Sequence, residues 1–341
     1  MLYFLSDYTE GAHPQVLRHL AEVNMISLPG YGEDPHTRAA KAKICAACGR
    51  DDLQIQFLTG GTQTNQIAID AMLRSYEGVI SADTGHINVH EAGAIEYSGH
   101  RVLPIPHVEG KIMAQALEDY MHAFVNDEVK EHLVQPGMVY ISHPTEFGTL
   151  YTKAELSALS ACCRKYGLSL YMDGARLGYG LMSPETDVSL ADVARLCDLF
   201  YIGGTKVGAL CGEALVFTGG CMPPHFITTV KQHGALLAKT RLVSQQFDAL
   251  FTDGLYYEIS RHAIAMAMEL KKAFIAAGYE LLMDSPTNQQ FFIMSRRQME
   301  KLREKVQFNL WQWMDDGRVA IRLVTSWATR PEDVEALKAL I

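Results

Sequence analysis

Short apolar runs of β type alternate with helix-length stretches from Gln54 to about Phe217. The runs fall at Gln54–Leu58, Gly78–Ser81, Arg101–Ile105, Met138–Ser142, Ser169–Met172, Leu199–Ile202 and Ala214–Phe217. Strands this apolar, spaced by helical segments, predict an α/β fold: a mostly parallel sheet covered by helices on both faces. One helix start is explicit. Thr152 and Glu155 have capping-box spacing, and Leu156, Leu159 and Cys163 then share a face before Gly167. Past Gly220 the rhythm changes. Helices are expected over Ile227–Leu237 and Leu255–Ala277, then a strand at Gln290–Met294 and a charged helix at Ser295–Val306. Strands near Phe308–Trp313 and Val319–Val324 follow, and Thr329-Arg-Pro-Glu332 opens a terminal helix. The pattern predicts a large domain over residues 1–249 and a smaller α+β domain over 250–341, with no flexible linker between them.

The 341 residues carry 30 Lys and Arg against 39 Asp and Glu, a formal charge of −9, with no long basic stretch. Nucleic acid is therefore not an expected partner, since phosphate binding needs clustered positive charge. No run approaches the roughly 20 apolar residues that span a bilayer, and Met1–Leu5 is too short and lacks the basic start of a secretory signal. Seven cysteines, at 45, 48, 162, 163, 197, 211 and 221, are sparse and do not form a disulfide pattern, so a cytoplasmic location is expected. Cys45 and Cys48 have CxxC spacing but no second pair, and no metal site is expected.

Three segments could carry chemistry, each at a predicted strand end. Leu58-Thr-Gly-Gly-Thr-Gln-Thr-Asn65 joins a strand to a helix, and such a glycine turn points free N–H groups at an anion. It lacks the Gly-Lys-Ser/Thr ending of a nucleotide loop. Asp173, in Tyr171-Met-Asp-Gly-Ala-Arg176, falls where ligands bind in open α/β sheets. Lys206 follows Leu199-Phe-Tyr-Ile-Gly-Gly-Thr, and a desolvated lysine can attack a carbonyl as the free amine. Singly, each has an ordinary explanation: a tight turn, a helix cap, a solvated loop lysine. Together they could hold pyridoxal 5′-phosphate (PLP) at its phosphate, ring nitrogen and aldehyde, with His86 of Gly85-His-Ile-Asn-Val-His-Glu-Ala-Gly93 stacked on the ring.

These motifs, with Ser6-Asp7, Tyr31-Gly-Glu-Asp-Pro35 and Ile321-Arg-Leu-Val-Thr325, occur in the order seen in the threonine aldolase family of PLP enzymes, and the chain resembles that family from Ser6 to its last helix. The resemblance implies a fold-type I PLP architecture with a seven-stranded sheet and a smaller C-terminal domain. It implies that Lys206 bonds the cofactor aldehyde, Asp173 pairs with the ring nitrogen, Gly61, Thr62 and Gln63 bind the phosphate, and His86 stacks on the ring. Ser6, Arg176 and Arg322 would contact the substrate carboxylate and cofactor oxygens, a task suited to a planar guanidinium fork. Tyr31 would come from a neighbouring subunit, implying a homodimer or homotetramer. His86 and His132 are the candidate bases.

Some residues depart from the family pattern. Ser142-His-Pro-Thr-Glu-Phe-Gly148 stands where many members have a Glu-Asn-Thr-His segment, and Leu5 stands where an Arg often precedes the Ser-Asp pair. With His86-Ile-Asn-Val, these lean toward the phenylserine-aldolase-like branch. The expected activity is retro-aldol cleavage of a β-hydroxy-α-amino acid to glycine and an aldehyde. The rivals are β-elimination or transamination on the same scaffold, and a non-catalytic PLP-binding module.

Overall fold

The computed structural model describes every residue, Met1–Ile341. Its strands in chain order are β1 (Leu2–Tyr3), β2 (Gln54–Leu58), β3 (Glu77–Ala82), β4 (Val102–Ile105), β5 (Gln135–Ser142), β6 (Ser169–Asp173), β7 (Leu199–Gly203) and β8 (Glu213–Phe217). The C-terminal part adds β9 (Glu280–Met283), β10 (Gln289–Met294), β11 (Val306–Gln307), β12 (Asn309–Trp313) and β13 (Val319–Val324). All seven apolar runs of the first part are strands of one seven-stranded sheet, ordered β2-β8-β7-β6-β5-β3-β4. Only β8 runs antiparallel to its neighbours. The inner strands are buried on both faces, β7 and β8 at every position, as expected for a sheet covered on both sides.

Local chemistry sets the helix ends. Thr152 and Glu155 form the reciprocal capping box, and Gly167, at φ 69°, ends that helix in the left-handed conformation. The helix expected over Ile227–Leu237 stops at Gln232, because Gly234 turns left-handed at φ 68° and the chain leaves the helix axis. The charged helix is likewise shorter, Arg296–Arg303, and Val306 passes into β11. The CxxC pair lies on helix Pro35–Cys48, where Cys48 packs in the main core.

The C-terminal part is an antiparallel sheet, β12-β13-β10-β9, with the long helix Leu255–Ala276 and the terminal helix Pro331–Lys338 packed against it. The first residues of the chain join this part. β1 pairs in parallel with β11, and Phe4 is fully buried in the C-terminal core. The Phe4 N–H donates to the Gln307 carbonyl (2.9 Å), and its carbonyl accepts from Val324 N–H (2.9 Å). This docking carries the following residues, Ser6 to Tyr8, toward the sheet edge that bears Asp173 and Lys206. Phe4→Ala is expected to cost about 3–5 kcal/mol, the usual range for emptying a buried phenylalanine site. A lowered urea midpoint would register the loss; an unchanged midpoint would mean the N-terminal strand contributes nothing to stability.

Candidate active site

The carboxyl ends of the parallel strands β2, β3, β5, β6 and β7 share one edge of the sheet, the edge where open α/β sheets bind ligands. Beyond β2 the chain turns through an extended Gly60 (φ −166°) into helix Gly61–Met72. The first helical bond is Thr64 N–H to the Gly60 carbonyl (2.9 Å), and the N–H groups of Gly61, Thr62 and Gln63 find no acceptor in the chain. They form an anion cradle at the positive end of a twelve-residue helix. The Gln63 side chain turns back instead, its Oε1 accepting from Thr59 N–H (3.2 Å) and Oγ1 (2.7 Å). A side chain on Gly61 would meet the Tyr201 hydroxyl at 3.1 Å, so glycine keeps the turn close to the sheet.

Asp173, the last residue of β6, is buried and held by three donors. Oδ2 accepts from the Tyr140 hydroxyl (2.6 Å) and Asn65 Nδ2 (3.0 Å), and Oδ1 from Ala175 N–H (2.9 Å). Burial alone would raise its pKa. The charge of His86 and hydrogen bonds from Tyr140 and Asn65 outweigh it and hold the carboxyl below its usual value. Asn65 Nδ2 also donates to Glu91 Oε1 (2.7 Å), which bonds His86 Nδ1 (2.7 Å). The imidazole is thus oriented by a buried carboxylate.

Lys206 follows β7 and lines the same cavity, and its Nζ makes no ion pair or hydrogen bond within the chain. Burial and the nearby Arg176 charge lower its pKa, which enlarges the free-amine fraction. Beside it, Glu213 is fixed by Gly204 N–H (3.0 Å) and Thr205 Oγ1 (2.8 Å), and burial pushes its pKa up to about 8. Arg176 grips Asp7 through Nε (2.6 Å) and Nη2 (3.0 Å), and Asn288 Nδ2 also donates to Asp7 (2.9 Å). Arg322 has no carboxylate partner. Its Nη1 donates to Gln289 Oε1 (3.0 Å), its Nε is buried without an acceptor, and its guanidinium lies 5.2 Å from the Trp311 ring centre. Burial and the Arg176 charge lower its pKa to about 10.

Of the residues singled out from sequence, the structure brings Gly61, Thr62, His86, Asp173, Arg176 and Lys206 around one cavity of about 270 Å³. A wider cleft of about 560 Å³ shares His86, Arg176 and Lys206 and adds Arg322, Gln289 and Trp311. Gln63 offers the site only its backbone N–H. Ser6 is buried beside Asp7 and lines neither space. Tyr31 is exposed, left-handed at φ 58°, with the Lys231 ammonium 5.2 Å from its ring, and lines neither space of its own chain. His132 departs from expectation. It lies exposed in the 3₁₀ turn Lys130–His132 before β5, at the opposite sheet edge from Ser142, roughly 23 Å away along β5 at about 3.3 Å per residue. Sequence reading passed over Asn65, Glu91, Tyr140, Glu146 and Glu213. Asn65, Glu91 and Glu146 sat inside quoted segments, Tyr140 lay inside a predicted strand, and Glu213 fell just before one.

The residues fit PLP: an anion cradle without an occupant from the chain, a buried carboxylate kept ionised, an amine without a partner, and an arginine with an orphaned buried N–H. The Asp7 carboxyl gives a test of the electrostatics. Burial would raise its pKa, but the Arg176 and Lys206 charges and its hydrogen bonds lower it overall. A depressed folded pKa adds stability that is complete above the unfolded value, near about 3.9, and is lost as pH falls through the folded value. Asp7→Asn is therefore expected to cost about 3–5 kcal/mol at neutral pH, as when one partner of a buried pair is removed. Below about pH 4 it should flatten the acid loss of stability, read as urea midpoint against pH. Parallel curves for the two proteins would refute the pairing.

The beta-eliminating lyase family model matches residues 4–305. A low specificity L-threonine aldolase from a Pseudomonas species is 30% identical, over 98% of this chain and 96% of the relative. That of Pseudomonas aeruginosa is 29% identical over 99% and 95%. A Leishmania major threonine aldolase structure superposes with a TM-score of 0.95 at 42% identity, covering 100% of this chain and 99% of the other. A Thermus thermophilus aspartate aminotransferase shares the fold, with a TM-score of 0.72 at 14% identity, over 100% of this chain and 90% of the other. Cradle, carboxylate and unpartnered lysine thus meet on a fold-type I scaffold, and the chain belongs to the beta-eliminating lyase family, in its threonine aldolase group, as a PLP-dependent carbon–carbon lyase.

Proposed function

We propose that this enzyme cleaves β-hydroxy-α-amino acids to glycine and an aldehyde, and that it takes aryl side chains of phenylserine type faster than the methyl of threonine. The observation that carries the reading is the Lys206 amine, without a partner, in a cavity shared with Asp173 and Arg176 and opening toward Arg322. The cleft of about 560 Å³ beside it, with Trp311 on its wall, supports room for a bulky β-substituent.

Bound PLP supplies an electron sink that stabilises negative charge at the substrate Cα. The N–H groups of Gly61, Thr62 and Gln63 would hold its phosphate, Asp173 would keep its ring nitrogen protonated, His86 would stack on its ring and Lys206 would bond its aldehyde. Burial and the Arg176 charge lower the pKa of Lys206, which eases loss of its proton to give the free amine. Arg176, braced by Asp7, and Arg322, with its free N–H, bind the substrate carboxylate. A carboxylate fixed in this way sets which bond at Cα is aligned to break. We further propose a homodimer or homotetramer, in which the exposed Tyr31 serves a neighbouring subunit's site, and a cytoplasmic location. No helix is long and apolar enough to cross a membrane.

Purified holoenzyme given L-threonine, L-allo-threonine or phenylserine should release glycine and aldehyde in equal amounts, phenylserine fastest. Keto acid and ammonia in their place would move the assignment to elimination. Lys206→Ala should lose both turnover and the visible absorption of lysine-linked cofactor, while turnover that persists would remove Lys206 from the reaction. Arg322→Leu removes a charge-assisted bond of about 1.5–3 kcal/mol, so KM should rise about 10- to 100-fold; an unchanged KM would place the carboxylate elsewhere.

A further inference from the structure

Retro-aldol cleavage needs a group to take the β-hydroxyl proton as the Cα–Cβ bond opens. His132 lies at the wrong edge of the sheet, and His86 has its Nδ1 committed to Glu91 and, in the reading above, would spend its ring face stacking on the cofactor. The segment that departs from the family pattern, Ser142-His-Pro-Thr-Glu-Phe-Gly148, leaves the carboxyl end of β5 directly into the site. Its Glu146 lines both the cofactor cavity and the wider cleft. Glu146 Oε1 is fixed by two donors, the Ser142 hydroxyl (2.6 Å) and the His86 backbone N–H (3.0 Å). No group of the chain bonds Oε2. The segment is also held in place beyond Glu146, where the Gly148 carbonyl accepts from the Ser285 hydroxyl (3.0 Å) and Thr145 Oγ1 meets Thr149 Oγ1 at 2.6 Å. A carboxylate with one oxygen anchored and the other open to the cleft is built to exchange a proton with a substrate hydroxyl.

We propose that Glu146 is the catalytic base that accepts the β-hydroxyl proton, an assignment that rests on the retro-aldol reading above. Glu146 Oε2 takes the hydroxyl proton, the C–O bond becomes the aldehyde C=O, and the Cα–Cβ bond breaks. Its electron pair stays with Cα, which takes a proton to complete glycine, and Glu146 returns its proton to water. Burial raises the Glu146 pKa, which makes its carboxylate a stronger base toward the hydroxyl proton. The charged groups and histidines lining the same two spaces are His86, His90, Glu91, Asp173, Arg176, Lys206, Glu213 and Arg322.

Glu146→Gln separates a chemical role from a structural one, because the amide oxygen can still accept from Ser142 and His86 N–H but cannot take the proton. Two rates are compared in wild-type and variant holoenzyme: cleavage of phenylserine, and exchange of the glycine α-hydrogen in heavy water. Exchange needs Lys206 and the cofactor but involves no β-hydroxyl. Cleavage should fall by about 10²-fold or more, the usual contribution of a general base. Exchange, cofactor affinity and the visible spectrum should hold. Unchanged cleavage in Glu146→Gln would overturn the assignment, most directly if His90→Ala loses cleavage instead. A parallel fall in exchange would also overturn it, leaving Glu146 as a brace for His86. Failure of the underlying reading shows separately, as wild-type enzyme releasing keto acid instead of glycine and aldehyde.

Discussion

A carboxylate buried at the end of β6 is the demand around which this site is built. An isolated buried charge would be neutralised by protonation. Asp173 stays ionised because Tyr140 from β5, Asn65 from helix Gly61–Met72 and its own following backbone N–H all donate to it. Those donors can converge only if the strands lie side by side in the observed order. The β5–β6 register sets Ser142 opposite Asp173, and the β7–β8 register sets Gly203 opposite Glu213. The parallel sheet thereby gathers cradle, carboxylate and lysine along one edge.

The positive groups are balanced across the boundary between the two parts of the chain. Arg176 from the sheet edge is paired with Asp7, which arrives on a segment docked into the C-terminal core by Phe4. Arg322 comes from β13 and keeps its Nε free. One guanidinium is thus braced by a carboxylate while the other keeps an unsatisfied donor, and Asp7 eases their mutual repulsion. The N-terminal docking and the charges at the sheet edge thereby share one electrostatic network.

The helix Arg241–Leu250 shows why part of the fold escaped sequence reading. It is buried almost all round, Gln245, Gln246 and Asp248 included, although only Val243, Phe247 and Leu250 form an apolar face at helical spacing, so the sequence marks no more than a half-exposed helix. Two of its polar side chains find distant partners, Gln246 in the Cys211 carbonyl and Asp248 in Lys43 and His19, while the Gln245 amide is buried without one. The short strands β1, β9 and β11 likewise have too few residues to show a period of two. The β1–β11 pairing is visible only once Leu2 meets Val306, more than three hundred residues along the chain.

What the sequence determined by itself is local. The seven apolar runs, the Thr152–Glu155 cap, the glycine turn before helix Gly61–Met72, and Asp173 and Lys206 at strand ends all follow from neighbours within a few residues. Tertiary structure alone decided which of the candidate residues meet. His86 reaches the site because β3 lies beside β5, whereas His132, at the other end of β5, does not. Glu146 lay in the segment after one predicted strand, and Glu213 just before another. Their burial and partners depend on strand order and on the docking of the C-terminal part, and these are long-range contacts that local pattern does not encode.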